Sequence, residues 1–273
     1  LFSRNWPWGK NKQEMIEVRN LVKEFDGTMV LKNIDATFQK GVVNIIIGKS
    51  GSGKTVMLKC LVGLTVPTSG EILYDGRNLI TMRSREVRRL RRDIGMLFQG
   101  AALFDSRSVL ENVMFPLEMF SRKNRRERRR RAEFCLERVD MLDAANLLPS
   151  EISGGMKKRA AIARAIVLNP KYLFCDEPNS GLDPKTSQVI DELISDITSD
   201  FNITTVVVSH DMNSVINIGD NVIFLNEGIK EWEGSKSQVM DADNEKLNDF
   251  VFASDLFRKI KVAEDIISED EKG

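Results

Sequence analysis

The residues best suited to chemistry in this chain of 273 residues lie in "GKSGSGKT", Gly48 to Thr55. Gly48, Lys49, Ser50, Gly51, Ser52, Gly53, Lys54 and Thr55 fit the phosphate-loop pattern GxxxxGK[ST]. Glycines let the backbone curl until successive N–H groups face phosphate oxygens, and a helix opening near Gly53 adds the positive end of its dipole. Lys54 would neutralise the β- and γ-phosphates of a nucleotide. The Thr55 hydroxyl would bind Mg²⁺, which keeps most of its waters and takes its other ligands from the phosphates. The pattern stands between an apolar strand-like run, "VVNIII", and a helical one, "KTVMLKCLVGL", as such a loop requires. Those flanks weigh against the simpler reading, a glycine-rich turn with an exposed lysine.

Further along, "YLFCDEP" ends an apolar strand in two adjacent carboxylates, a costly arrangement unless something cationic waits there. Asp176 then becomes a partner of Mg²⁺, directly or through a water. In an extended chain Glu177 points to the opposite side, toward an attacking water, and is the candidate catalytic base. By itself such a pair is usually a capped turn; the phosphate loop tips the balance. His210, the one histidine, closes the apolar run "TTVVVSH". A lone histidine is commonly structural, but ligands of α/β sheets bind at the carboxyl ends of strands, which favours a contact with the γ-phosphate. Ser153, Gly154 and Gly155 open the helical run "GGMKKRAAIARAIVL". Ser153 reads as its N-cap, and the helix start as a second anion site; a plain cap explains the same residues almost as well.

The elements that must position these groups follow from the pattern. "IEVRN" and "VLKNIDATF" read as strands near the start, bounded by Asp26-Gly27 and Lys40-Gly41. From about Gly100 to Leu168 the spacing is helical, and the arginines concentrate there and just upstream, in "SRKNRRERRRRAEF" and "RSREVRRLRRD". Neither run interleaves aromatics, so both read as solvated helix faces and no nucleic-acid partner is expected. Strands resume with "KYLFCDEP", "ITTVVVSH" and "NVIFLNEG", separated by helical runs, which gives an α/β core with a largely parallel sheet. Residues 241–273 read as a polar helical tail, either reaching a partner subunit or merely solvated. Residues 1–14 read as a flexible extension; Trp6 and Trp8 in it are the alternative, a membrane-interface anchor.

Composition narrows the setting. Forty basic and forty acidic residues cancel, and no apolar run approaches the roughly 20 residues of a membrane-spanning helix. Cys60, Cys135 and Cys175 have no disulfide-like or zinc-like spacing, which fits a reducing cytosol.

In this order, the motifs resemble the ATP-binding subunit of an ABC transporter from Met15 to about Met240. "GKSGSGKT" looks like its Walker A loop, "LFCDE" its Walker B strand, "ISGGM" its signature and "SGLD", ending at Asp183, its D-loop. His210 looks like its switch histidine, Phe98-Gln99 its Q-loop and Phe25 the aromatic that stacks on adenine. The resemblance implies a P-loop NTPase of ABC type: a RecA-like, mostly parallel sheet with an antiparallel β subdomain and a helical subdomain at about 100–168. It implies ATP and Mg²⁺ as cofactors, with Gln99 joining Thr55 and Asp176 around the metal. Nucleotide contacts are expected from Phe25, residues 48–55, Gln99 and Asp183, and catalysis from Glu177, His210 and Lys54. It also implies a head-to-tail homodimer, in which Ser153, Gly154 and Gly155 close over ATP held by the other chain, and a membrane permease that touches the Gln99 segment. The family's usual signature has glutamine where this chain has Met156. That methionine and "GAALFDSRSVLENVMFPL" are similar to the Mla-type phospholipid transport ATPases, which work with a permease and an MCE-domain protein between the inner and outer membranes. A site on the cytoplasmic face of the inner membrane follows. The ATPase of a polar-solute importer, and an ABC-type regulatory or assembly ATPase that transports nothing, are the competing readings.

Overall fold

The computed structural model describes residues 15–253; the expectations for residues 1–14 and for the acidic end of the tail lie outside them. Strands β1 (Ile16–Phe25) and β2 (Thr28–Phe38) form a hairpin. Its turn uses Asp26 at φ 48° and Gly27 at φ 81°, the paired left-handed residues of a two-residue hairpin loop. Strand β3 (Val43–Ile47) leads through the phosphate loop into helix α1 (Lys54–Leu61). Strands β4 (Ser69–Tyr74) and β5 (Arg77–Asn78) return to the edge of β1, so the first sheet is antiparallel in the order β2-β1-β4-β5.

Helix α2 (Ser84–Asp93) delivers the chain to β6 (Ile94–Leu97). A helical insertion follows: α3 (Val109–Phe120), α4 (Arg125–Arg138) and α5 (Gly154–Ile166). Reciprocal capping boxes start α3 and α4. Ser108 and Glu111 exchange bonds of 3.2 and 2.9 Å, and Asn124 and Glu127 exchange two of 3.0 Å. The chain then completes the larger sheet through β7 (Tyr172–Asp176), α6 (Pro184–Phe201), β8 (Thr204–Val208), α7 (Met212–Ile218), β9 (Asn221–Asn226) and β10 (Ile229–Gly234), and α8 (Glu245–Val251) is the last element among the described residues.

The larger sheet runs β10-β9-β3-β8-β7-β6 and is parallel except for the β10–β9 pair. Strands β3, β7 and β8 are buried at every position, which is why they read as unbroken apolar runs rather than alternating ones. Alternate residues feed two cores. Ile46, Phe174 and Val206 pack with α1 and the antiparallel sheet, while Ile45, Cys175 and Val207 pack with α3 to α6. Tyr74 and Tyr172 meet edge to face at 4.9 Å across the first core, and the Tyr74 hydroxyl donates to the Leu61 carbonyl at 2.7 Å.

Three features differ from the sequence reading. Strand β6 escaped it because four residues behind an arginine-rich helix carry little periodicity; pairing with β7, from Ile94 opposite Tyr172 to Leu97 opposite Cys175, makes it a strand. Strand β10, "IKEWEG", is a half-exposed edge whose charges masked it. The third concerns the tail: α8 is not a solvated helix, because Leu247 and Val251 are fully buried in the second core and Phe250 lies 5.5 Å from Phe224. The arginine helices do expose most of their charge, with Arg128 and Arg131 half-buried. Arg131 turns in, and its guanidinium donates to the Val167 and Ile166 carbonyls at the end of α5, both at 3.0 Å.

Leu247→Ala should therefore cost about 2–5 kcal/mol in urea unfolding. A merely solvated helix would lose less than about 0.5 kcal/mol.

Candidate active site

Four polar segments leave the larger sheet at the carboxyl ends of β3, β6, β7 and β8 and surround a cavity of about 700 Å³. The phosphate loop forms its floor. Gly48 sits at φ 150°, and a Cβ there would stand 2.1 Å from the Leu225 carbonyl, so only glycine lets β3 turn against β9. Gly51, at φ 81°, has nothing within 4 Å of a built Cβ and faces open space. Gly53 offers no side-chain cap to α1, so the first-turn amides keep their donors for an outside acceptor. This cradle fits a chain of phosphates.

Lys54 is buried and its ammonium donates to the Gly48 and Lys49 carbonyls at 2.7 and 3.0 Å. Burial pulls its pKa down, opposed by the negative charges of Glu177 and Asp176. An arriving phosphate would take over those ammonium hydrogens. The Thr55 hydroxyl donates to Asp176 Oδ1 at 3.2 Å, which brings a hydroxyl and a carboxylate together where Mg²⁺ would stand. Burial raises the Asp176 pKa, the Thr55 bond lowers it, and Glu177 raises it further; a divalent cation would relieve the crowding. Among the described residues no three His, Cys, Asp or Glu gather as a preformed metal site, so a magnesium here would take most of its ligands from nucleotide and water. When bound, the metal would neutralise charge on the phosphates; Thr55 and Asp176 are the residues placed to hold it.

Glu177 corrects the sequence reading. The chain is not extended there: β7 ends at Asp176, and Glu177 adopts φ 47°, a left-handed conformation that costs a non-glycine residue about 1–2 kcal/mol. Its N–H donates to the Val208 carbonyl at 2.9 Å, which continues the ladder to β8 while the side chain swings out of the sheet. Its Oε2 lies 2.8 Å from His210 Nδ1. His210 stands two residues past the end of β8, with its ring largely exposed, so the pair faces the space above Lys49. An acceptor beside an open cavity is the arrangement a water-orienting base requires.

Other expected contacts are dispersed. Gln99 lines the cavity and donates from Nε2 to the Ser180 hydroxyl at 3.2 Å. Phe25 lies on the exposed β1–β2 hairpin, outside the cavity lining, with Lys23 Nζ 4.5 Å from its ring centre. Asp183 caps α6: its carboxylate accepts from the Thr186 N–H at 3.0 Å and from the Thr186 hydroxyl. These bonds hold its pKa below the ordinary carboxylate range. Ser153 caps α5 by accepting from the Met156 N–H at 3.3 Å. A Cβ on Gly155 would meet Thr186 Cγ2 at 2.6 Å, which places the signature against α6 and away from the cavity of its own chain. Met156 packs its side chain on the second core, so its thioether replaces no polar contact within the chain.

The structure adds residues whose roles were not legible. Asn112 in "SVLENV" is buried and ties down the segment after Gln99: its amide donates to the Phe104, Arg107 and Ser108 carbonyls and accepts from the Phe104 N–H at 2.7 Å. Asp191 of α6 is buried and accepts from Asn179 Nδ2 at 2.8 Å; the same amide reaches Ser214 Oγ at 2.9 Å. This cluster links the segment after Glu177 to the helix after His210. Lys158, buried on α5, touches both Gln99 and Glu177. The signal for each was a polar residue on an apolar helix face.

The family model described as "ABC transporter" matches residues 31–180. The chain belongs to the ABC transporter ATP-binding family, and it is an ATPase with the P-loop fold of that family. It is 37% identical over 239 residues to the intermembrane phospholipid transport system ATP-binding protein MlaF of Haemophilus influenzae, covering 88% of this chain and 90% of that one. It is 41% identical over 228 residues to the methionine import ATP-binding protein MetN of Carboxydothermus hydrogenoformans, covering 82% of this chain and 67% of that one. Among solved structures, the dimeric post-hydrolysis state of the ATP-binding cassette MJ0796 bound to ADP and Pi superposes with a TM-score of 0.74 at 34% identity, over 81% of this chain and 98% of that one.

Two outcomes follow from the site. Glu177→Gln should bind ATP as the wild type does while turnover falls about 10²–10⁴-fold, read by fluorescent-nucleotide titration beside phosphate release. The second concerns pH. Burial pushes the Asp191 carboxyl up to about 6, against hydrogen bonds from Asn179 and Ser214. The folded chain therefore holds this proton more tightly than the unfolded chain, whose aspartates titrate near 3.9. The penalty for burying the charge is absent below that value, grows as pH rises to about 6, and is constant above. Two pKa units correspond to about 3 kcal/mol. Asp191→Asn should remove that loss, so unfolding free energies of mutant and wild type should diverge in the mutant's favour between pH 4 and 7.

Proposed function

We propose that this ATPase is the motor subunit of a phospholipid transporter, acting as a head-to-tail homodimer on the cytoplasmic face of an inner membrane. The observation that carries the dimer is the separation of the two anion sites. The cavity is lined by Lys54, Thr55, Glu177 and His210, with Asp176 bonded behind Thr55, yet Ser153, Gly154 and Gly155 stand outside its lining. One chain thus offers half of each of two sites, and a second copy completes both. Gly51 and the amides of α1 bind phosphate from one side; the helix start at Ser153 covers it from the other.

In this reading ATP pulls two chains together, Thr55, Gln99 and Asp176 would hold a Mg²⁺ that neutralises phosphate charge, and Glu177, oriented by His210, positions the attacking water. Phe25 stacks on adenine, and Asp183 stands at the edge of the closed dimer beside the nucleotide. A permease receives the motion through the Gln99 segment. Support for that contact is an apolar groove of about 320 Å³, walled by Phe98, Phe104, Phe115, Pro116 and Phe120, directly after Gln99. Phe98 and Phe104 are exposed, a pairing of apolar surface and functional loop that suits a docked helix. Phospholipid as cargo, and an MCE-domain protein in the assembly, draw support from the likeness to MlaF over most of both chains and from Met156. The likeness to MetN favours a second reading, import of a small polar solute.

Affinity purification of the tagged chain from detergent-solubilised membranes, with lipid analysis, separates the two. Recovery of a permease, an MCE-domain protein and co-purifying phospholipid is expected; recovery of a solute-binding protein without phospholipid would replace this reading with the second.

A further inference from the structure

Lys158 is a buried cation whose hydrogen-bond partners in the structure are backbone carbonyls. Its ammonium donates to the Gln99 carbonyl and, at 3.2 Å, to the Glu177 carbonyl. Burying an ammonium is costly unless its hydrogens are satisfied, and a methionine or leucine would fill the same volume more cheaply. What a lysine adds is a tie between two segments distant in sequence.

Both segments are strained. Glu177 is left-handed at φ 47°, and the loop after Gln99 carries Ala101 at φ 60° and Ala102 at φ 50°. Arg164, also on α5, donates to the Ala101 and Ala102 carbonyls, each at 2.6 Å. Helix α5 therefore grips the Gln99 loop at two points, and through the first of them it also grips the residue that carries the candidate base. Burial lowers the Lys158 pKa, while Cys175, Glu177 and Asp176 oppose the shift.

We propose that Lys158 is a positioning residue for ATP hydrolysis: by bridging the Gln99 and Glu177 carbonyls, it holds the Glu177 carboxylate in working position only while the Gln99 loop is seated. The proposal rests on the assignment of Glu177 to the attacking water and stands whatever the cargo. A displacement of about 1 Å at such a group can cost about 10²-fold in rate.

The test is a double-mutant cycle in the full chain. Lys158→Met should lower kcat about 10–100-fold with KM and binding of a fluorescent ATP analogue changed less than about threefold; Lys158→Arg, which keeps a donor, should recover most of the rate. In the Glu177→Gln background, single-turnover hydrolysis of radiolabelled ATP should fall no further when Lys158→Met is added, because residues acting as a unit are not additive. A kcat for Lys158→Met within about twofold of wild type, beside an inactive Glu177→Gln, overturns the proposal alone, as does a multiplied loss in the double variant. Full turnover in Glu177→Gln overturns the Glu177 assignment and this proposal together. If Lys158→Met does not fold, by circular dichroism, Lys158→Leu, which also lacks a donor, takes its place in the cycle with the same criteria.

Discussion

Strands β3, β7 and β8 are buried along their whole length, and that burial governs where polar chemistry can occur. A parallel strand covered on both faces admits carboxylates, ammonium groups and imidazoles only where it ends. The strands share a direction, so their carboxyl ends share an edge. Lys54, Asp176, Glu177 and His210 are adjacent for that reason, although as many as 156 positions separate them along the chain. The antiparallel sheet and α1 cover one face and α3 to α6 the other; both covers are needed to keep the strands dry.

At that edge the polar groups are held rather than free. Lys54 is parked on loop carbonyls, Thr55 on Asp176, Glu177 on His210 and Gln99 on Ser180. For these four groups a bound nucleotide, metal or water would replace one set of partners by another, whereas the amides that open α1 have no side-chain cap to give up. The same economy extends below the surface. Asn112 fixes the loop after Gln99, and Asp191 joins the segment after Glu177 to the helix after His210.

Much of this was legible in the sequence because it rests on local rules. The phosphate loop needs glycines where the backbone must curl and a lysine and hydroxyl at fixed offsets, and "GKSGSGKT" supplies them with a strand before and a helix after. The unbroken apolar runs gave the buried strands, and the serine before Gly154 gave the cap. Strand β6, the buried face of α8 and the left-handed turn at Glu177 were not legible. Each is imposed by neighbours remote in sequence: β7 pairs β6, the second core draws in Leu247 and Val251, and the Val208 carbonyl captures the Glu177 N–H.

The sequence by itself thus determined the chemistry on offer: glycines that suit phosphate, a lysine, a hydroxyl and a carboxylate that suit a metal, a candidate base and a second helix start open to an anion. Only the tertiary structure decided their arrangement. It put Ser153 and its glycines away from the cavity of their own chain, turned Glu177 toward His210, and made Lys158 the link between Gln99 and Glu177. The physical reason is that a residue's type fixes which bonds it can make. Which of those bonds it does make depends on the polar groups that folding buries beside it, where leaving one unpaired costs about 1–3 kcal/mol.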